Sequence, residues 1–266
     1  MNRTGRLRLH SDVEVGIVQQ RNNTGAVRND WWLNMRVNGY EIRPNANLEG
    51  AELWRAELAF ANLQGANLSY AALWGANLEG ANLEGANLEG ANLANANLAN
   101  ANLQNTDLWG TQLEGAKLDG ANLTGADMTE ANLQSARLDG ANLQSANLSN
   151  ANLQGSELYE ANLTGANLTK ANLRGARLCG ANMIKSNLTK ANLQDANLKD
   201  VNLGEANLTK SNLSNANLSY ANLEDANLTK SDLTNANLYE ANLTLGTNVT
   251  DSIVTGATMP DGSIFE

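Results

Sequence analysis

The chain of 266 residues has one cysteine, Cys179, one histidine, His10, two prolines and two phenylalanines. A single cysteine excludes a disulfide framework and fits a reducing, cytoplasmic setting. No serine, cysteine or carboxylate pair is marked out around His10, so no nucleophile and base can be assigned, and the chain is not expected to be an enzyme. No apolar run approaches the roughly 18 residues of a membrane span, and the N-terminus lacks the apolar core and small-residue cleavage site of a secretory signal. Acidic residues occur without the clustered spacing of metal ligands, and no glycine-rich loop leads from a strand into a helix to hold a phosphate. Neither a metal nor another cofactor is expected.

What is abundant is register. The stretch ANLEGANLEGANLEG, residues 76–90, places a leucine at every fifth position with an alanine two residues before it. On an α-helix, steps of five advance by a net angle of about 140°, which leaves no apolar stripe. On a continuous strand an odd step sends successive leucines to opposite faces. The pattern becomes coherent when the chain turns a corner once per repeat, so that every leucine points to one axis and four corners close a coil. From Leu48 to Leu243 there are 40 such centres, all leucine except Met128 and Met183. The residue two before each centre is always small: alanine, or Thr106, Thr111, Ser156, Ser186, Val201, Ser211 and Ser231. Asparagine dominates the position between them, where it can bond locally or to the asparagine one coil away. The two residues after each centre are variable and polar, as expected of outward positions.

This motif, a small residue, then Asn or Asp, then Leu, then two variable residues, resembles the pentapeptide-repeat family over about three quarters of the chain. The resemblance implies an all-β solenoid, a right-handed quadrilateral parallel β-helix with four repeats per coil. Ten coils at roughly 4.8 Å make a rod about 48 Å tall. The expected organisation is an N-terminal cap over residues 1–45, the regular array over 46–245, and degenerate repeats with a C-terminal cap over 246–266. Solenoids require such caps, because bare terminal coils expose core and strand edges. In the first cap, residues 7–18 alternate as a strand would. RNDWWLNMR, residues 28–36, is expected to form a short helix capped by Asn29 or Asp30, with Trp31, Trp32 and Met35 over the first coil. At the other end Leu245 and Gly246 shift the register by one, and Val249, Val254, Met259 and Ile264 are read as degenerate centres.

Charge and aromatic residues mark the surface. Residues 1–45 hold seven arginines and four acids, whereas residues 46–266 hold 11 bases and 24 acids. An acidic rod repels nucleic acid and attracts basic protein surfaces. Folding the chain in twenties aligns Lys170, Lys190, Lys210 and Lys230 in one column, and Lys117, Arg137, Glu157 and Arg177 in another beside Asp119 and Asp139. Trp54 and Trp74 share a face, with Phe60, Tyr70 and Trp109 on neighbouring faces near the same end. Trp54, Trp74, Trp109 and Tyr70 are the candidate partner contacts, unless the N-terminal cap folds over them. The resemblance implies a noncatalytic interaction or scaffold rod for an unidentified protein partner, monomeric or dimerised end to end, of a kind abundant in cyanobacteria. The alternative it implies is a DNA mimic that modulates DNA gyrase, as some family members do. The array here has no interrupting loop, its tail offers only Phe265, and the lysine column breaks the negative field.

Overall fold

The computed structural model describes residues 4–10, 13–21, 27–30, 35–243 and 246–266, with side chains from Met35 onward. From Asn47 to Asn222, the residue before each centre forms a parallel bridge with its counterpart 20 residues on, as in Asn77 with Asn97 and Asn97 with Lys117. Four five-residue repeats therefore make one coil, and the array is a right-handed quadrilateral β-helix. The amide of each centre donates to the coil above (Leu78 N to Asn97 O, 2.7 Å), and the amide before it donates to the coil below (Asn77 N to Ala56 O, 2.9 Å). Corners are β-turns closed by bonds such as Ala81 N to Leu78 O at 3.0 Å. The second residue after each centre sits at positive φ, for example +61° at Gly80 and +60° at Lys170. That is the sign a type II turn needs, and it explains the glycine and asparagine there.

Two of every five side chains point inward. Every centre from Leu48 to Leu238 is at most 2% exposed, Met128 and Met183 included, and the small residues two before them fill the space between. The asparagine column uses both of its options at once. Glu89 N donates to Asn87 Oδ1 (2.8 Å), which fixes the turn, and Asn162 Nδ2 donates to Asn142 Oδ1 (3.0 Å), which ties coil to coil. Some hydroxyls at the small position bond the preceding centre's carbonyl, as in Ser156 Oγ to Leu153 O at 2.8 Å and Ser211 Oγ to Leu208 O at 2.7 Å. Ser186 Oγ is buried without a hydrogen-bond partner among the described residues. Replacing Ser186 by Ala is therefore expected to stabilise the rod by about 1 kcal/mol, and Ser156→Ala to destabilise it by about the same. Parallel denaturant titrations check this, and shifts of equal sign would contradict it.

The described strands before the array form a sheet. Strands β1 (Thr4–His10), β2 (Val13–Arg21), β4 (Met35–Val37) and β5 (Tyr40–Ile42) pair antiparallel in the order β1-β2-β4-β5, and β3 (Val27–Asp30) pairs with β2. The strand expected over residues 7–18 is thus a hairpin pair. The helix expected over residues 28–36 is not formed at either end of that stretch, since Val27–Asp30 and Met35–Val37 are strands. Trp31 and Trp32 lie outside the described residues. The reason is the Asn38-Gly39 pair at φ +52° and +85°, a two-residue hairpin turn that folds β5 back onto β4. Alternation then buries Met35, Val37 and Ile42 on the first coil, where Met35 was expected. Asn38 Nδ2 donates to Glu52 O (3.1 Å), and Glu52 N donates to the Tyr40 hydroxyl (3.3 Å), which fastens the hairpin to the rod.

At the far end the one-residue register shift is present: Asn227, Asp232 and Asn237 bridge to Asn248, Ile253 and Thr258, 21 residues ahead. Val254 and Met259 pack against the core, while Val249 is exposed on the last coil. Ile264 is not a centre. It is 59% exposed and pairs antiparallel with Thr258, because the chain reverses at Pro260–Gly262 and returns along the last coil. The C-terminal mouth of the bore opens into an apolar pocket of about 310 Å³ bordered by Leu228, Leu238, Leu243, Val249, Met259 and Phe265. Valine fills less of the coil than the leucines below it.

Candidate interaction surface

The outward positions of the first coils carry aromatic side chains because only the two residues after each centre are free of core and ladder constraints. Trp54, Trp74, Tyr70 and Trp109 are 55%, 38%, 60% and 43% exposed, and Phe60 is exposed beside them. Trp54 and Trp74 lie on one corner in adjacent coils, as expected, yet Trp74 is covered by the Arg55 guanidinium, 4.6 Å from its ring centroid. That cation–π contact holds the indole in place. Phe60 and Tyr70 lean along the rod over the next coil, where a Cβ on Gly80 or Gly90 would come within 2.5 and 2.7 Å of their rings. Each glycine thus makes room for the aromatic side chain one coil before it. The Tyr70 hydroxyl donates to Glu89 Oε1 at 2.7 Å, and this bond to a carboxylate raises the phenol's pKa. Trp109 N donates to Asp107 Oδ1 at 3.0 Å.

Acids surround these rings. Residues 46–116 contain eight acids and one base, Arg55. The end of the rod therefore offers flat aromatic faces among carboxylates on a backbone whose every turn is bonded to its neighbours. Aromatic faces among carboxylates are suited to contact with cations and amphipathic side chains. The structure places Trp54, Trp74, Tyr70 and Trp109 near one end, on neighbouring corners. It does not bring them into ring contact with each other.

The expected charged column is an ion-pair ladder: Arg137 contacts Asp119 (2.8 Å) and Glu157 (3.7 Å), and Arg177 contacts Glu157 (2.9 Å). Lys117 has no ion pair among the described residues, and Asp139 accepts the Tyr159 amide at 3.0 Å instead. Exposed pairs of this kind add little stability. A second aromatic group, Tyr220 edge-on to Tyr239 with Lys199 over Tyr220, was missed in the sequence. The signal was available, since Tyr220 and Tyr239 are 19 apart and so share a corner in adjacent coils. Among the described residues no group of His, Cys, Asp or Glu is placed to hold a metal ion. No helix there is long and apolar enough to cross a membrane.

The family model for pentapeptide repeats matches in eight copies, over residues 45–80, 73–110, 110–144, 146–183, 166–204, 186–219 and 206–244. The chain belongs to the pentapeptide-repeat family. Among solved structures it is similar to HetL, a pentapeptide repeat protein involved in heterocyst differentiation regulation from the cyanobacterium Nostoc sp. strain PCC 7120. The identity is 35% over 79% of this chain and 94% of that one, with a TM-score of 0.47. It is also similar to QnrB1, a plasmid-mediated fluoroquinolone resistance protein, at 21% identity over 63% of this chain and 83% of that one, with a TM-score of 0.35. No curated protein matches the sequence.

Proposed function

We propose that the protein is a noncatalytic interaction rod of the cytoplasm, capped by residues 1–45 and 246–266, that docks a protein partner at its N-terminal end through Trp54, Trp74, Tyr70 and Trp109. The exposure of four aromatic side chains on the rigid, acidic end of the solenoid carries this reading. Aromatics dominate binding energy once desolvated, whereas lysine is depleted at interface cores. The acids around them favour a partner whose matching face is basic. A regulatory role is in keeping with the 35% identity to HetL, a protein involved in heterocyst differentiation regulation. We do not extend the proposal to a DNA mimic, because Lys170, Lys190, Lys210 and Lys230 interrupt the negative field on one corner.

The test is affinity capture from the native cell lysate with the wild-type chain beside the Trp54→Ala, Trp74→Ala double variant, each melted as a folding control. The expected result is equal melting and loss of the partner by the variant, at a cost of about 2 kcal/mol or more in binding. Equal recovery by both folded proteins would remove this site. Early melting of the variant would assign the two tryptophans to the cap instead.

A further inference from the structure

We propose that one corner of the rod, the one following Leu48, Leu68 and so on to Leu228, is a self-complementary surface that binds a second copy of this chain antiparallel. Read along the rod, this corner carries Glu49, Tyr70, Glu89, Trp109 and Glu130, then Ser149-Asn150, then Thr169-Lys170, Thr189-Lys190, Thr209-Lys210 and Thr229-Lys230. The ladder position just before it adds Asp107 and Asp127. Before Ser149 these positions hold no base, and from Ser149 to Lys230 they hold no acid. One corner is therefore divided into an acidic half and a basic half with a neutral coil between.

The four lysines of this corner are left open, whereas the other bases beyond residue 130 are paired. Arg137, Arg174, Arg177 and Lys185 each contact an acid, Lys185 through Glu205 at 3.5 Å. Lys170, Lys190, Lys210 and Lys230 are exposed and have no ion pair among the described residues. Asp232, on the ladder beside Lys230, accepts the Thr234 amide and hydroxyl at 2.9 and 2.6 Å instead. Stacked at the coil spacing of roughly 4.8 Å, the four ammonium groups repel one another. Nothing described within the chain offsets this.

A two-fold axis through the Ser149-Asn150 coil answers the whole pattern at once. It sets Asp127 and Glu130 level with the partner's Lys170, Asp107 with the partner's Lys190, Glu89 with the partner's Lys210, and Tyr70 with the partner's Lys230. Only the outermost level, Glu49 with the partner's Asp251, joins like charges. Because both copies have the same pitch, every level comes into register together, and each contact occurs twice, as in any isologous interface. A nucleic acid would meet four lysines and then the acids of the same corner. A strip about 48 Å long and on the order of 10 Å wide buries roughly 500 Å² per partner, less than the roughly 800 Å² of a standard interface. The association is accordingly weak and governed by salt.

The experiment is sedimentation equilibrium of the full chain at about 100 µM, at about 20 mM and about 1 M salt. A dimer is expected at low salt, with its dissociation constant raised on the order of 10- to 100-fold at high salt. Lys170→Glu, Lys190→Glu, Lys210→Glu and Lys230→Glu together make the corner wholly acidic, and this variant is expected to stay monomeric. Glu49→Lys, Glu89→Lys and Glu130→Lys together make it largely basic, with the same expected result. A mixture of the two folded variants is expected to form a one-to-one heterodimer. A wild-type monomer at low salt, a dimer that survives the lysine reversals, or a mixture that stays monomeric would each overturn the proposal.

Discussion

Leu138→Asp is expected to lower stability by more than about 4 kcal/mol, enough to disrupt the central coils. Leu138 is fully buried, and the inward positions around it are leucine, alanine and a few hydroxyl residues. Among the described residues no base points into the bore, so a carboxylate there has neither a counter-ion nor a route to water. The neighbouring position gives the contrast. Asp139 points outward and accepts the Tyr159 amide at 3.0 Å, a role that falls to it because Glu157 replaces the asparagine that normally caps this turn. Asp139→Ala should cost about 1 kcal/mol. Urea titrations of the two variants check the contrast, and equal losses would mean that the assignment of inside and outside is wrong.

Proline placed two residues apart should give opposite outcomes. Asn142 N donates to Ala121 O at 2.9 Å, its Nδ2 to Thr124 Oγ1 at 2.9 Å, and its Oδ1 accepts from Asn162 at 3.0 Å. Asn142→Pro removes a ladder donor paired in the middle of the array and should cost about 3 kcal/mol or more. Asn142→Ala, which keeps the amide, should lose only the side-chain bonds. Gln144 is the first central residue of the turn, the position where proline is favoured, and its amide bonds only the Asn142 side chain at 3.2 Å. Gln144→Pro should therefore be near neutral. Thermal melts of the three variants separate these effects, and similar losses for Asn142→Pro and Gln144→Pro would contradict the ladder assignment.

The fold of the array was legible because its cause is periodic. A leucine at every fifth position fits neither common element, and the small residue beside it reports a narrow bore. The alignment of Arg137, Glu157 and Arg177 followed from counting in twenties. The N-terminal sheet differs from the helix that the tryptophan-rich stretch suggests because Asn38-Gly39, a local turn signal, decides strand over helix. Ile264 was misread because it continues the period while Pro260 and Gly262 reverse the chain. The covering of Trp74 by Arg55 was not legible, since it depends on side chains leaning along the rod rather than on spacing. The exposure of Trp54, Trp74, Tyr70 and Trp109 rests on the same kind of detail.

The bridge from each residue to the one 20 ahead ties surface position to arithmetic. Removing one five-residue repeat would leave the leucine bore intact, yet turn everything beyond the deletion by a quarter about the axis. The lysines would move to another corner and face different neighbours. Removing four repeats would shorten the rod by one storey and return every column to its place. Length can thus drift in steps of five without harm to the core, whereas any trait that depends on an aligned corner survives only in steps of twenty. In this molecule the core records the remainder on division by five, and the surface records the remainder on division by twenty.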